Sequence, residues 1–247
     1  MYNFFVDKTQ FNGEAYVITG GDYNHIKNVL RMQVGERFLV SSNGLSSLCE
    51  LSSFSGDSVI ATVVESNYLS TNLPIDLYLL QGMPKSDKLE LIIQKAVELG
   101  ANAIVPVDTA RAIVKIEEKK KEQKRERWQA ISESAAKQSK RNVVPTVYAP
   151  LSFKNALKMA EDFDVFIVPY ECAEGMAATK EALSLIKPNS KVGVLIGPEG
   201  GFTEEEIALA TKCGGKIVSL GKRILRAETA AITTLSMIML YTELNFN

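Results

Sequence analysis

Five short apolar runs in the later part of the chain constrain the fold more than any other feature. "IDLYLLQ", "NAIVPVD", "DVFIVPY", "KVGVLIG" and "KIVSLG" begin at residues 75, 102, 164, 191 and 216, and a segment of helical pattern separates each from the next. Runs this short, without a polar face, read as strands buried on both sides. Strands that alternate with helices then give a parallel sheet covered on both faces. The helices carry their own punctuation. "SDKLELIIQKAVELG" is expected to start on a capping box of Asp87 with Glu90 and to close on Gly100. "TEEEIALATKCGG" repeats the device with Thr203, Glu206 and Gly214. In such sheets ligands bind at the carboxyl ends of the strands, and "LIGPEGG" (195–201) sits at one of those ends.

The first 70 residues have a different rhythm. "EAYVIT", "ERFLVSS", "SSLCELSS" and "DSVIATVVES" alternate apolar with polar residues, and Asn43-Gly44 and Ser55-Gly56-Asp57 mark turns between them. One helix, "DYNHIKNVLRM", interrupts the strands; Asp22 is its expected cap and Ile26, Val29 and Leu30 its expected apolar face. The reading is a small β-barrel-like domain over 1–70, a polar linker near 66–74 and an α/β domain over 74–247.

Composition excludes several classes. A net charge of −1 and a pI near 6.0 give no bulk attraction to a polyanion, so any nucleic acid must meet a local patch. Segment 111–141 supplies one, with eleven Lys/Arg against five Asp/Glu. Cys49, Cys172 and Cys213 lack metal or redox spacing and read as small buried hydrophobes, which suits a reducing, cytoplasmic setting. No signal peptide, membrane span or metal-ligand cluster is read.

Two loops carry the chemistry. "GPEGGFTEEE" is glycine-rich but matches neither GxxxxGK[ST] nor GxGxxG, and Glu199 would repel a phosphate, so spacing alone leaves a turn and a binding loop both open. "LGKRILRAETA" (220–230) again follows a strand and places Ile224 and Leu225 where a solvated loop is polar. The helix after it, "ETAAITTLSMIMLYTEL", is apolar on nearly all sides and needs cover from the domain and from a second subunit.

Together these two motifs resemble the signature of the RsmE family of 16S ribosomal RNA uracil-N3 methyltransferases, in the SPOUT superfamily. "MPKSDKLELIIQKAVELG", "ERW…ESAAKQSKR…VP" and "HIKNVLRMQVGE" extend the resemblance over nearly the whole chain. It departs at Lys137, where an acidic residue is expected, and at Lys140, where glycine is common. The resemblance implies a C-terminal trefoil-knotted domain that holds S-adenosylmethionine in the two loops, an N-terminal PUA-like RNA-binding barrel, and a homodimer whose sites borrow residues from the partner. The implied substrate is one uridine, position 1498 in the usual 16S numbering, in an assembled or structured small ribosomal subunit; DNA is not implied.

On that basis Ile196, Leu220, Ile224 and Leu225 are expected as apolar walls of the cofactor site, with Gly197, Gly200, Gly201 and Gly221 presenting backbone and Thr229 in the adjoining helical turn. Uracil N3 is protonated at neutral pH, so catalysis needs removal of that proton or stabilisation of the anion. Glu199 and Glu228 are the candidate bases, and Arg226, Arg223 and Arg141 the candidate partners of the uridinate oxygens. Arg141 is expected to act across the dimer. N3 lies on the Watson–Crick edge, so the base must be unpaired or flipped out, with Lys27, Arg31, Lys85, Lys137, Lys140 and Arg223 expected on RNA. Trp128 reads as core, and His25, the only histidine, has no expected role in proton transfer. The competing readings are a non-catalytic RNA-binding assembly factor and a related enzyme acting on another RNA, such as tRNA ribose.

Overall fold

The computed structural model describes residues 1–85, 87–173 and 175–246 and divides into two compact units. The first comprises Met1–Asn72 together with Ala136–Val143, and the second Leu73–Ala135 with Val144–Asn247. Segment 136–143, read from sequence as part of the C-terminal domain, thus packs with the N-terminal residues.

The first unit is a five-stranded sheet in the order β1-β3-β4-β5-β2. Its strands are β1 (Asn3–Phe5), β2 (Ala15–Thr19), β3 (Arg37–Ser42), β4 (Leu45–Ser55) and β5 (Ser58–Glu65). β1 runs parallel to β3 and the other pairings are antiparallel. One core cluster holds Phe4 from one edge strand and Ile18 from the other, with Phe38, Leu51 and Val59 between them. A sheet whose two edges share a core must curl. Register shifts between β4 and β5, at Leu48/Cys49 and Leu51/Ser53, supply the bend. The Asn43-Gly44 turn behaves as expected, with φ of 51° and 80° at the two positions.

The helix of this unit departs from expectation. It starts earlier, as α1 (Gly20–Asn24), and continues as a π-helical turn, His25–Val29. Asp22 does not cap it; the carboxylate lies inside the first turn and pairs with Lys137 Nζ at 3.1 Å. The π-turn rotates the apolar face, so Ile26 is buried while Val29 is 64% exposed. His25 is exposed, with its ring edge-on to Phe4.

The helix preceding segment 136–143, α3 (Glu118–Ser139), ends on Lys140 at φ 59°, and Arg141 N–H bonds the Ala136 carbonyl at 3.0 Å. That is a Schellman ending with lysine in the left-handed position. Asn142 then ties the segment down: its Oδ1 accepts from Thr71 N–H at 2.7 Å and its Nδ2 donates to the Leu69 carbonyl at 2.6 Å.

In the second unit the expected strands appear as β6 (Asp76–Gly82), β7 (Ala103–Asp108), β10 (Val165–Pro169), β11 (Lys191–Ile196) and β12 (Gly215–Val218). Two short strands, β8 (Thr146–Val147) and β9 (Leu151–Ser152), add to the β7 side. All pairings are parallel, in the order β12-β10-β11-β6-β7-β8, with β9 also on β7. Leu195, Leu80 and Val105 lie side by side across three strands and enter one core with Ala156, Leu157 and Ala210 of helices α4 (Phe153–Ala160) and α6 (Glu204–Lys212). α2 (Lys88–Glu98) and α7 (Ala227–Phe246) pack against each other, α7 also meets β11, and α5 (Ala177–Ser184) packs on β12. Trp128 is buried, as expected.

The two helix starts differ. Thr203 and Glu206 form the expected capping box, and buried Glu206 also accepts the Ala110 N–H at 2.8 Å. Asp87 makes no side-chain cap: its backbone, at φ −87° and ψ 10°, is not in the extended conformation of a capping residue, and the Glu90 carboxylate pairs with Arg127 at 2.6 Å. α7 buries only one stripe, including Ala231, Leu235 and Ile238, and leaves Leu240 and Leu244 at 52% and 80% exposure. Of the cysteines only Cys49 is buried; Cys172 is exposed, contrary to expectation. Among the described residues, no helix is long and apolar enough to cross a membrane and no group of His, Cys, Asp or Glu is arranged to hold a metal.

Candidate cofactor and active site

β10, β11 and β12 are neighbours in the sheet and end together, and the segments that leave them form one pocket of about 330 Å³. β10 contributes Pro169, Tyr170 and Glu171; β11 runs into Ile196–Glu199 with Gly201 and Phe202; β12 leads into Ser219–Arg226 and the start of α7. The carboxyl ends of adjacent parallel strands therefore hold the site, as the topology requires.

Glycine makes the first wall thin. A Cβ on Gly197 would lie 3.3 Å from Gly201 Cα and 3.3 Å from the Phe202 ring, and Gly201 itself has φ +65°. Below them Gly82, at the end of β6, could take no side chain: a Cβ would stand 2.7 Å from Pro198 Cδ and 2.8 Å from Pro198 N. Gln81, fully buried beside it, donates through Nε2 to the Gly197 carbonyl at 3.5 Å and to the Gly82 carbonyl at 3.0 Å. On the other wall, Gly221 has φ +107° and Ile224 is 85% exposed. An aliphatic side chain held in water at a pocket rim is an unmet demand for an apolar ligand surface.

Of the residues expected to hold the cofactor, Ile196, Gly197, Gly201, Leu220, Gly221, Ile224 and Leu225 line this pocket. Gly200 and Thr229 do not line it. Gly200 instead faces Arg111, whose Nη1 donates to its carbonyl at 3.1 Å and whose Cβ a Gly200 Cβ would approach to 3.1 Å. Glu199, Arg223 and Arg226 are also at the lining, and Glu228 lies one residue beyond Ala227, which lines it. Tyr170, Glu171 and Gln81 were not anticipated. The available signal was topological: β10 had to end beside β11, and a glutamine closing the apolar run "IDLYLLQ" is a polar group aimed at a strand end.

The two carboxylates sit in different surroundings. Glu199 accepts the Lys85 N–H with both oxygens, at 3.1 and 3.2 Å, and Lys88 Nζ approaches its Oε1 at 3.1 Å. Burial pushes its carboxyl up, but its own N–H, Lys88 and the Lys85 N–H together hold it below the usual glutamate range. Glu228 Oε2 is buried, and the partner given for it among the described residues is the Lys88 ammonium, 3.4 Å away.

Arg141 belongs to the first unit. It is 3% exposed, and burial pulls its guanidinium down to about 10, while its carbonyl accepts from Asn3 Nδ2 at 3.1 Å. Four residues expected on RNA, Lys27, Arg31, Lys137 and Lys140, lie in that unit as well. Lys27 sits over the Tyr23 and Phe54 rings at 5.1 and 5.7 Å, and Arg31 is exposed at φ 53°. Lys137 is engaged with Asp22. Along α3 the charge excess is partly spent on neighbours, as in Lys121–Glu118 and Arg125–Glu122.

The chain thus comprises a parallel α/β domain with its cleft in two glycine-opened loops and a curled β domain. Residues 71–239 match the RNA methyltransferase domain family and residues 18–64 the RNA methyltransferase PUA domain family. The molecule therefore falls in the class of RNA methyltransferases. It is 42% identical to ribosomal RNA small subunit methyltransferase E of Bacillus subtilis, across 99% of this chain and 98% of the relative. The protein of that name from Mesomycoplasma hyopneumoniae is 34% identical, over 96% and 98% of the two chains. A crystal structure of ribosomal RNA small subunit methyltransferase E from Neisseria gonorrhoeae, bound to S-adenosyl methionine, superposes with a TM-score of 0.82 at 29% identity, over 97% of each chain. The chain belongs to the ribosomal RNA small subunit methyltransferase E family.

Proposed function

We propose that the pocket binds S-adenosylmethionine and that the protein methylates N3 of a single uridine, position 1498 in the usual 16S numbering, in an assembled small ribosomal subunit. The observation that carries this reading is the pocket itself. It joins aliphatic walls at Ile196, Leu220, Ile224 and Leu225 to glycine backbone that a Cβ would obstruct. Glu199 and Glu171 at its lining offer carboxylates to a cationic sulfonium, while Lys222, Arg223 and Arg226 at the same lining offer cations to an anionic group. When bound, the cofactor supplies an electrophilic methyl group.

The chain's own part is to hold the base and manage its proton. Glu228 is the less encumbered of the two carboxylates to receive the N3 proton, since its buried Oε2 meets the Lys88 ammonium alone among the described residues, and at the longer distance of 3.4 Å. Glu199 is already occupied by Lys85 N–H and Lys88. Arg223 and Arg226, exposed at the pocket, would stabilise the uridinate oxygens. Arg141 reaches a partner's site only if dimerisation exposes its guanidinium, a change that Arg223 and Arg226 do not need.

A homodimer is supported by the exposed Leu240 and Leu244 on α7, and the family resemblance carries a trefoil knot in the second unit and a cytoplasmic ribosomal substrate. Primer extension along 16S RNA from a deletion strain tests the target, because an N3-methyl group blocks pairing and stops the polymerase. The stop should vanish with the gene and return with the wild-type protein; a stop that persists refutes the assignment. In the same assay with purified subunits and saturating cofactor, Glu228→Gln should slow methylation about 100-fold or more. An unchanged rate removes Glu228 from proton transfer.

A further inference from the structure

Lys88 opens α2, where a cation faces the positive end of the helix dipole. What holds it there is a pair of carboxylates. Its ammonium lies 3.1 Å from Glu199 Oε1 and 3.4 Å from Glu228 Oε2. Glu199 belongs to the loop after β11, and Glu228 to the first turn of α7, directly after the loop that follows β12. A single side chain from a third segment thus joins the loop after β11 to the start of α7, both of which contribute lining residues to the pocket. The same segment grips the first loop a second time through Lys85 N–H on Glu199.

We propose that Lys88 is a positioning residue that fixes the spacing of the two pocket walls, and through it the affinity for S-adenosylmethionine; this rests on the reading that the pocket holds that cofactor. Without the ammonium, two carboxylates that share it would repel each other, and the repulsion would act directly on the loops that carry them. The side chains of Lys88, Glu199 and Glu228 are 32%, 26% and 15% exposed, so salt screens the contacts in part but does not abolish them.

The test is calorimetric titration of S-adenosylmethionine into the full-length wild type, Lys88→Met, Lys88→Arg and the double variant Lys88→Met/Glu228→Gln. Lys88→Met should weaken binding about tenfold, in keeping with two half-exposed charge contacts. Lys88→Arg should recover most of the loss. The double variant should bind better than Lys88→Met alone, because it removes the repulsion. Raising the salt should weaken the wild type and, by screening the two unpaired carboxylates from each other, strengthen Lys88→Met, so that the two converge. A purely structural lysine would show none of these three dependences, and a thermal melt confirms that each variant is folded. If the wild type binds and Lys88→Met binds equally well, the clamp is wrong and the cofactor reading stands. If the wild type itself does not bind, the cofactor reading falls and takes the clamp with it.

Discussion

Lys140 gives a prediction in which stability and RNA binding move in opposite directions. It holds the left-handed position of the Schellman ending of α3, at φ 59°, where the family resemblance expects glycine. An L-residue there costs about 1–2 kcal/mol in backbone sterics. Glycine removes that cost but returns part of it as extra entropy of the unfolded chain, so Lys140→Gly should gain about 0.5–1 kcal/mol. For a chain of this size that corresponds to roughly 1–3 °C in the melting temperature, read by differential scanning calorimetry. Lys140→Ala is the control: it deletes the same charge but keeps the Cβ, so its melting temperature should stay near that of the wild type. Both variants lose one exposed ammonium. If that ammonium contacts a phosphate, both should lower the salt dependence of RNA binding by about 0.7–0.9 in the log–log slope. Equal melting temperatures for glycine and alanine would refute the backbone argument, and unaltered salt slopes would remove Lys140 from the RNA interface.

Two further outcomes follow from the pocket. Gly82→Ala sets a Cβ against the backbone of Pro198 at 2.8 Å and the Ile196 carbonyl at 3.0 Å, so the first loop must shift. It should cost about 1–3 kcal/mol of stability, seen in a thermal melt, together with measurable loss of cofactor affinity; wild-type behaviour in both would mean that the loop yields freely. Glu199, held below the usual glutamate range, contributes stability in full above that range and loses it as pH falls through its lowered value. Melting temperatures followed from neutral to acid pH should therefore fall less steeply for Glu199→Gln than for the wild type, and parallel curves would show that its contacts do not stabilise the fold.

Where an element's own residues decide its shape, the sequence was legible. Thr203 with Glu206 capped α6 as expected, because both halves of the box lie within one turn. Asp87 with Glu90 has the same spacing and failed on both halves: the Asp87 backbone is not extended, and Arg127, distant in sequence, pairs with the Glu90 carboxylate. Asp22 failed because the helix begins at Gly20, which leaves Asp22 inside the first turn, where its carboxylate pairs with Lys137 from another part of the chain. The strands β1, β8 and β9 escaped notice because strands of two or three residues carry no periodicity of their own; their neighbours define them.

The pocket divides along that line. The apolar runs and the glycines are local, and they determined a parallel sheet with a glycine-rich loop at a strand end. That the loop binds a ligand, and the aliphatic walls now seen at Ile196, Leu220, Ile224 and Leu225, came from the resemblance carried by the two loop motifs. The order β12-β10-β11 was left to tertiary structure, and that order brings Tyr170 and Glu171 to the site. Tertiary structure also placed segment 136–143, and Arg141 with it, in the first unit. It seated Lys88 between Glu199 and Glu228 as well. The reason is physical. A side chain's backbone conformation answers to its neighbours in sequence, whereas the partner of a charge is whichever opposite charge the folded chain carries within about 4 Å of it.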